Sequence, residues 1–254
     1  MKHIKRKLLI ALAILLLIPI GGIAALFTIR EPPDGPRVAV EPGIVGVEAG
    51  GAYAWIVRTA TGAVLIDAGL DAKGTAILAE LTSVGLTADS VRAVLITHGH
   101  PDHYAAATLF AKAQIFAGAD DLAMIRGDHT HYATFGKVMG AILPLPPAPS
   151  AMTGLHGEEQ LHLDGARFSV IATPGHSPGS VMYLYKDVLF TGDSLMRKNG
   201  GVAIVPSLFS ENAAQNLASL QKLDAVVFER IADGHAGVTN GAKAKLSDLL
   251  RPAR

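Results

Sequence analysis

Three histidines and one aspartate lie within six positions of the segment THGHPDHYAAA, residues 97–107: His98, His100, Asp102 and His103. His98 and His100 follow an apolar run, and residues two apart in an extended chain project to the same side, so both imidazoles can reach one ion. Pro101 suits a first helical turn, which sends Asp102 and His103 in other directions. Imidazole and carboxylate ligands suit zinc, with iron or manganese as alternatives. This spacing predicts a metal site that can serve two ions, rather than a helix N-terminus with a capping acid.

Three more candidate ligands stand at the ends of predicted strands. They are His176 in TPGHSPGS, Asp193 in LFTGDS and His235 in IADGHAG. Taken alone, each histidine fits an ordinary loop and the aspartate fits an Asx-turn. Together they are what a rigid scaffold supplies when it gathers metal ligands from distant segments.

The elements that must position these residues alternate between strands and helices. Strands are predicted in AYAWIVR and AVLIDAG, joined by the turn TATG, and in VRAVLITH, AQIFAG, ARFSVIATPG, SVMYLYKD, VLFTGDS and DAVVFERIADG. Helices are predicted in KGTAILAELTSVG and YAAATLFAKA, over 211–222 and over 241–250. This order favours a single domain of two packed sheets with helices outside.

The N-terminal 30 residues have a different character. An uncharged stretch of 22 residues, Leu8–Ile29, is long enough to cross a bilayer, which takes about 20. It exceeds the roughly 7–15 apolar residues of a signal-peptide core, so we expect an uncleaved transmembrane helix, with secretion after signal cleavage as the alternative. The basic residues before it should stay in the cytoplasm and send the rest outward: Lys2, Lys5, Arg6 and Lys7. We expect a basic tip and anchor over 1–30, a linker over 31–43 and the catalytic domain over 44–254.

Charge and composition limit the classes of substrate and binding partner that we expect. Residues 31–254 carry 17 basic and 22 acidic side chains, which is a poor surface for following phosphate backbones. We therefore expect a small-molecule substrate and no nucleic acid. The absence of cysteine excludes disulfides and thiolate ligands.

The segments THGHPDH, TPGHSPGS, TGDS and DGHAG, in that order, resemble the metallo-β-lactamase-fold hydrolase superfamily from about residue 44 to the C-terminus. The resemblance implies an α+β fold, a four-layer αββα sandwich, here preceded by the N-terminal transmembrane helix. It also implies two metal ions, zinc in the first place with manganese or iron possible. The implied roles are His98, His100 and His176 on one ion, Asp102, His103 and His235 on the second, Asp193 as bridge, and Asp67 in AVLIDAGLD orienting a ligand imidazole.

Departures from the family's patterns bear on the substrate. The β-lactamases compared have cysteine or serine near the bridging position, so Asp193 counts against antibiotic hydrolysis. Glyoxalase-like thioesterases have a helical C-terminal substrate domain, whereas 19 residues follow His235. Several lactonases place a tyrosine where this chain has Met196. The substrate is left open by these comparisons.

The expected function is that of a dinuclear hydrolase whose metal-bridging hydroxide attacks an ester-, thioester- or lactone-like bond, with Asp102 as a catalytic residue. Three alternatives stand beside it: a mononuclear iron persulfide dioxygenase, a β-lactam hydrolase and a catalytically silent binding module. Two further pairs of residues each have two possible interpretations. His129 and His131 lie at a pocket mouth or in an exposed loop, and Arg197 and Lys198 contact an anionic substrate or form a surface turn.

Overall fold

The computed structural model describes residues 31–128, 137 and 144–251. The predicted transmembrane helix and the pair His129 and His131 lie outside the described residues. Within the part that is described, no helix is long and apolar enough to cross a membrane.

The first half of the chain forms a seven-stranded sheet whose spatial order follows the sequence. The first four strands pair antiparallel, and the last four pair parallel. This arrangement brings the carboxyl ends of β4 to β7 to one edge. The strands are β1 (Arg37–Glu41), β2 (Ile44–Glu48), β3 (Tyr53–Arg58), β4 (Ala63–Ile66), β5 (Val91–Leu95), β6 (Gln114–Gly118) and β7 (Thr153–Leu155).

The second half forms a six-stranded sheet in the order β15-β14-β11-β10-β9-β8, in which only β11 and β14 pair parallel. Its strands are β8 (Gln160–Leu163), β9 (Ala166–Ala172), β10 (Val181–Tyr185), β11 (Val188–Gly192), β14 (Arg230–Asp233) and β15 (Val238–Thr239). A separate hairpin joins β12 (Leu195–Lys198) to β13 (Gly201–Ile204).

Five α-helices are described: α1 (Thr75–Ser83), α2 (Pro101–Tyr104), α3 (Leu122–Ile125), α4 (Ala213–Lys222) and α5 (Ala242–Leu250). Helix α4 begins where the side chain of Asn212 accepts a hydrogen bond from the Gln215 amide, which satisfies one of the unpaired donors at the helix start. The helices predicted over KGTAILAELTSVG, 211–222 and 241–250 are confirmed.

Three apolar layers hold the elements together. The inner faces of the two sheets meet through large buried side chains such as Trp55, Phe168 and Phe190. Helix α1 covers the outer face of the first sheet, whereas α4 and α5 cover the outer face of the second through Leu220 and Leu246. Burying each such side chain contributes about 1.5–3 kcal/mol. The predicted four-layer αββα sandwich is confirmed.

Two predicted elements are shorter than expected. The helix predicted over YAAATLFAKA, residues 104–113, is wrong beyond its first residue, because helix α2 ends at Tyr104 and only a 3-10 turn follows, over Ala107–Leu109. The reason is tertiary. The Ala105 amide is shared between the helical acceptor Pro101 and the Gly69 carbonyl, and the Ala106 amide donates to Ala68, which diverts the backbone from a continuing helix. The strand in DAVVFERIADG begins only at Arg230, because its partner β11 begins at Val188, directly opposite.

The predicted linker over 31–43 is part of the body. Its second half forms β1, which pairs with β2. Its first half is held by Arg197, whose guanidinium donates to Glu31 Oε2 at 2.8 Å and to the Pro32 carbonyl at 3.2 Å. Asp34 reinforces this contact, since its amide donates to the Ala236 carbonyl at 3.0 Å. Arg197 is therefore engaged in holding this segment, and its interpretation as a cation for an anionic substrate is wrong.

Candidate metal centre

The structure brings the seven sequence-predicted ligands together at one end of the sandwich. Each of them follows a strand: the segment 98–103 comes after β5, His176 lies between β9 and β10, Asp193 follows β11 and His235 follows β14. They form overlapping groups in which the ligand atoms all lie within 4.8 Å of one another: His98, His100 and His176; His98, His103 and Asp193; Asp102, His103 and His235.

The first group is a tight triangle of ring nitrogens. His98 Nε2 lies 3.0 Å from His100 Nδ1 and 3.1 Å from His176 Nε2. His176 Nε2 lies 3.0 Å from His100 Nδ1. Protons cannot satisfy all three of these contacts at once, because each neutral ring has one donor and one acceptor nitrogen. Three lone pairs that converge on one cation satisfy the whole triangle.

A hydrogen-bond chain sets the tautomer of His98. The Thr97 hydroxyl donates to Asp67 Oδ2 at 2.8 Å, so its oxygen is left to accept from His98 Nδ1 at 3.1 Å. With the proton on Nδ1, the Nε2 lone pair of His98 points into the triangle. Such outer partners are the usual means of orienting a ligand imidazole.

The group of Asp102, His103 and His235, which we call the second group, has the same logic. His103 Nδ1 donates to Asp67 Oδ2 at 2.8 Å, and His235 Nδ1 donates to the Gly51 carbonyl at 2.7 Å. Both Nε2 lone pairs are thus turned inward, where Asp102 Oδ2 lies 3.8 Å from His103 Nε2 and 3.6 Å from His235 Nε2. Asp67 therefore stands where the resemblance implied, against the imidazole of His103.

Asp193 lies between the two groups. Its Oδ1 is 3.0 Å from His235 Nε2 and 3.4 Å from His103 Nε2, while its Oδ2 is 3.1 Å from His235 Nε2 and 3.9 Å from His176 Nε2. Gly234 permits this approach, because a Cβ there would lie 2.6 Å from Asp193 Oδ1. One carboxylate thus faces both sets of histidines.

Burial and charge favour the ligand forms of these side chains. Burial, with His100 nearby, lowers the pKa of His176 to about 3, and burial also holds the pKa of His98 well below its ordinary value. Burial alone would raise the pKa of Asp193, but His235 and His103 hold it well below its usual range. At neutral pH the first two are therefore neutral imidazoles, and Asp193 is a carboxylate.

His103 tests whether the site suits a cation. Burial alone would lower the pKa of His103, but the carboxylates of Asp67, Asp102 and Asp193 raise it well above the ordinary value. Its Nε2 is fully buried and makes no hydrogen bond to any of the described residues. The carboxylates that favour a proton at this nitrogen also favour a divalent cation there. The donor set of imidazole and carboxylate fits zinc.

The centre is open on one side. The Asp102 side chain is 28% exposed and His100 is half-buried, whereas the other five candidate ligands are buried. A substrate can therefore approach past Asp102. Met196, at the position where several lactonases have tyrosine, is buried against Val205 and Phe209.

Two buried carboxylates that support the centre were missed from the sequence. Asp121 accepts a hydrogen bond from the Gly99 amide at 2.7 Å, and Asp233 accepts one from the His235 amide at 2.8 Å. The adjacent acids Asp120 and Asp121 suggest only a polar turn. Asp233 had a signal, because it stands two positions before a predicted ligand at the end of a strand.

The part of the chain that contains the candidate ligands is similar to known proteins. Residues 47–235 match a family model described as the metallo-beta-lactamase superfamily. Hydroxyacylglutathione hydrolases from Albidiferax ferrireducens and Photobacterium profundum are 31% and 32% identical over 182 and 175 residues, which is 68% of this chain in each case. The chain spans 57% of the length of each of these relatives.

Solved structures share the fold. A metallo-beta-lactamase family protein from Thermus thermophilus superimposes with a TM-score of 0.67 at 22% identity, covering 84% of this chain and 79% of that one. A metallo-beta-lactamase from Cronobacter sakazakii superimposes with a TM-score of 0.64 at 25% identity, covering 83% and 81%.

Proposed function

The chain belongs to the metallo-beta-lactamase superfamily, and from this premise we propose that it is a metal-dependent hydrolase that cleaves a thioester or closely related ester bond with two metal ions. The observation that carries the proposal is the place of Asp193, whose carboxylate faces both groups of histidines: its Oδ2 lies 3.1 Å from His235 Nε2 and 3.9 Å from His176 Nε2. A carboxylate so placed is suited to join two ions in one centre. The names of the curated relatives support the thioester.

We propose the following division of ligands. One ion would be held by the three converging imidazoles of His98, His100 and His176, and the second by Asp102, His103 and His235, with the carboxylate of Asp193 available to both. Nitrogen and oxygen donors without thiolate suit zinc, and manganese or iron are compatible with the same set.

The mechanism we propose needs no nucleophilic side chain. Two bound ions would supply a water of lowered pKa and polarise the carbonyl of the substrate. Asp102, whose side chain is 28% exposed, would hold the attacking water by a hydrogen bond and take its proton. As the new C–O bond forms and the C–S bond breaks, Asp102 returns that proton to the leaving sulfur. The products are a carboxylic acid and a thiol, with no covalent enzyme intermediate.

A substrate panel tests the activity. Purified full-length protein loaded with zinc should hydrolyse a hydroxyacylglutathione thioester with kcat/KM about 100-fold or more above that for a β-lactam, a difference of about 2.7 kcal/mol in the barrier. Lactones, oxygen esters and phosphodiesters complete the panel. Faster cleavage of the β-lactam, or oxygen consumption with a persulfide and no hydrolysis, would replace this function by one of the alternatives.

We also propose that residues 1–30 anchor the chain and that the catalytic domain faces outward. Because Arg197 binds Glu31 and the Pro32 carbonyl, such an anchor would hold the body close to the bilayer. The full-length chain should sediment with membranes. Its catalytic domain should be digested by protease added to cells whose layers outside the membrane have been permeabilised. Deletion of residues 1–30 is the control and should remove membrane binding. Recovery of the intact chain in the soluble cytoplasmic fraction would contradict the anchor.

A further inference from the structure

Asp121 joins the two segments that carry the triangle of His98, His100 and His176. Its Oδ2 accepts from the Gly99 amide at 2.7 Å and from the Ser177 hydroxyl at 2.6 Å. Gly99 lies between His98 and His100, and Ser177 directly follows His176. A single carboxylate, fully buried, therefore fixes the spacing between the two loops that supply all three imidazoles.

The local backbone is built to bring this carboxylate close. Asp121 Oδ1 accepts from the Gly179 amide at 2.7 Å. A Cβ at Gly179 would lie 2.4 Å from the Asp121 amide nitrogen, so only glycine allows the two backbones to approach this closely. With two donors on one oxygen and one on the other, the carboxylate is satisfied without contact to the ligand rings themselves.

Asp233 has the corresponding place behind the second group. Its Oδ1 accepts from the amides of His235 at 2.8 Å and Ala236 at 2.6 Å, and its Oδ2 accepts from the Arg197 amide at 2.9 Å. Its backbone carbonyl accepts from Trp55 Nε1 at 3.2 Å. This fully buried residue thus ties the His235 turn to the β12 strand and to the inner core.

We propose that Asp121 and Asp233 are positioning residues that each serve a different metal ion. Asp121 sets the triangle of the first ion, and Asp233 sets His235 for the second. Neither touches the centre where the substrate would react, so each acts through the backbone of the ligands. The proposal rests on the two-ion function proposed above. Removing such outer support lowers metal affinity about 10–100-fold.

The test measures zinc affinity rather than turnover. Zinc is withdrawn stepwise from the full chain with a chromophoric chelator, which resolves two affinities in the unchanged protein. Asp121→Asn should weaken one ion about 10–100-fold and leave the other within about threefold, and Asp233→Asn should weaken only the other ion. Asp120→Asn is the matched control, because this neighbouring carboxylate is exposed, and it should leave both affinities unchanged.

Double variants identify which ion each carboxylate serves. On a His98→Ala background, where the first ion is already weakened, Asp121→Asn should add little, whereas on a His235→Ala background it should keep its full effect. Asp233→Asn should show the reverse. Should Asp121→Asn fail to fold, Ser177→Ala removes one of the same hydrogen bonds and should weaken the same ion several-fold.

The outcomes are distinguishable from failure of the proposed function. If the unchanged protein binds two ions but Asp121→Asn weakens both equally, or neither, the positioning proposal is overturned while the function stands. If the unchanged protein binds no second ion, the two-ion function itself is overturned, and the assignment of Asp233 falls with it.

Discussion

Asp193→Ala is expected to lower the zinc content from two ions per chain to fewer than one and to reduce kcat/KM for the thioester at least about 1,000-fold, a loss of about 4 kcal/mol. The physical reason is that its two oxygens face both groups of histidines, at 3.0 Å from His235 Nε2 and 3.9 Å from His176 Nε2. Removing it would take away one of the carboxylates whose negative charge would offset the two proposed cations at close range. Elemental analysis of the purified variant and initial rates give both quantities.

Single-histidine variants are the controls for this result. His98→Ala should weaken the first ion and His235→Ala the second, because each imidazole belongs to one group of the proposed division. Neither change should disturb both ions as Asp193→Ala does. Retention of two ions and of the full rate in Asp193→Ala would show that this carboxylate does not join the two groups.

Chelation is expected to abolish hydrolysis and leave a folded protein. Dialysis against a strong chelator should reduce activity below about 1% of the starting rate, because the proposed reaction uses no serine or cysteine nucleophile. Free water, with a pKa of about 15.7, supplies almost no hydroxide at neutral pH. Added zinc or manganese should restore the rate. Circular dichroism before and after dialysis is the control, since the three apolar layers contain none of the candidate ligands.

Full activity in metal-free protein would contradict the mechanism. So would a covalent acyl-enzyme trapped during turnover, because water is the only nucleophile in the proposed reaction. A single turnover in heavy-oxygen water should place one label in the carboxylic acid product.

The grouping of the candidate ligands could be predicted from the sequence because their pattern is local. Four of them fall within six residues, and the others stand where apolar, β-branched runs end in glycine-rich turns. Both features follow from the backbone alone: alternate residues share a side, and parallel strands meet at one edge. The two-sheet architecture followed from the same alternation of strands and helices.

Other parts depend on contacts between distant segments and left no local signal. Helix α2 ends early because Ala105 and Ala106 bind the loop after β4, which lies far earlier in the chain. Arg197 follows Asp193 closely in sequence, which suggested that it could contact a substrate, but its guanidinium donates a hydrogen bond to Glu31. The role of Asp121 follows only from the tertiary structure, in which the loops of Gly99 and Ser177 meet at its carboxylate.

The most direct test of the two-ion hydrolase is the metal-to-protein ratio of active, purified full-length chain, measured by elemental analysis together with thioester turnover. The account predicts two zinc ions per chain and an activity that rises as the second ion binds, because Asp193 lies between two groups of candidate ligands. One iron per chain with oxygen consumption, or an active protein without metal, would contradict it.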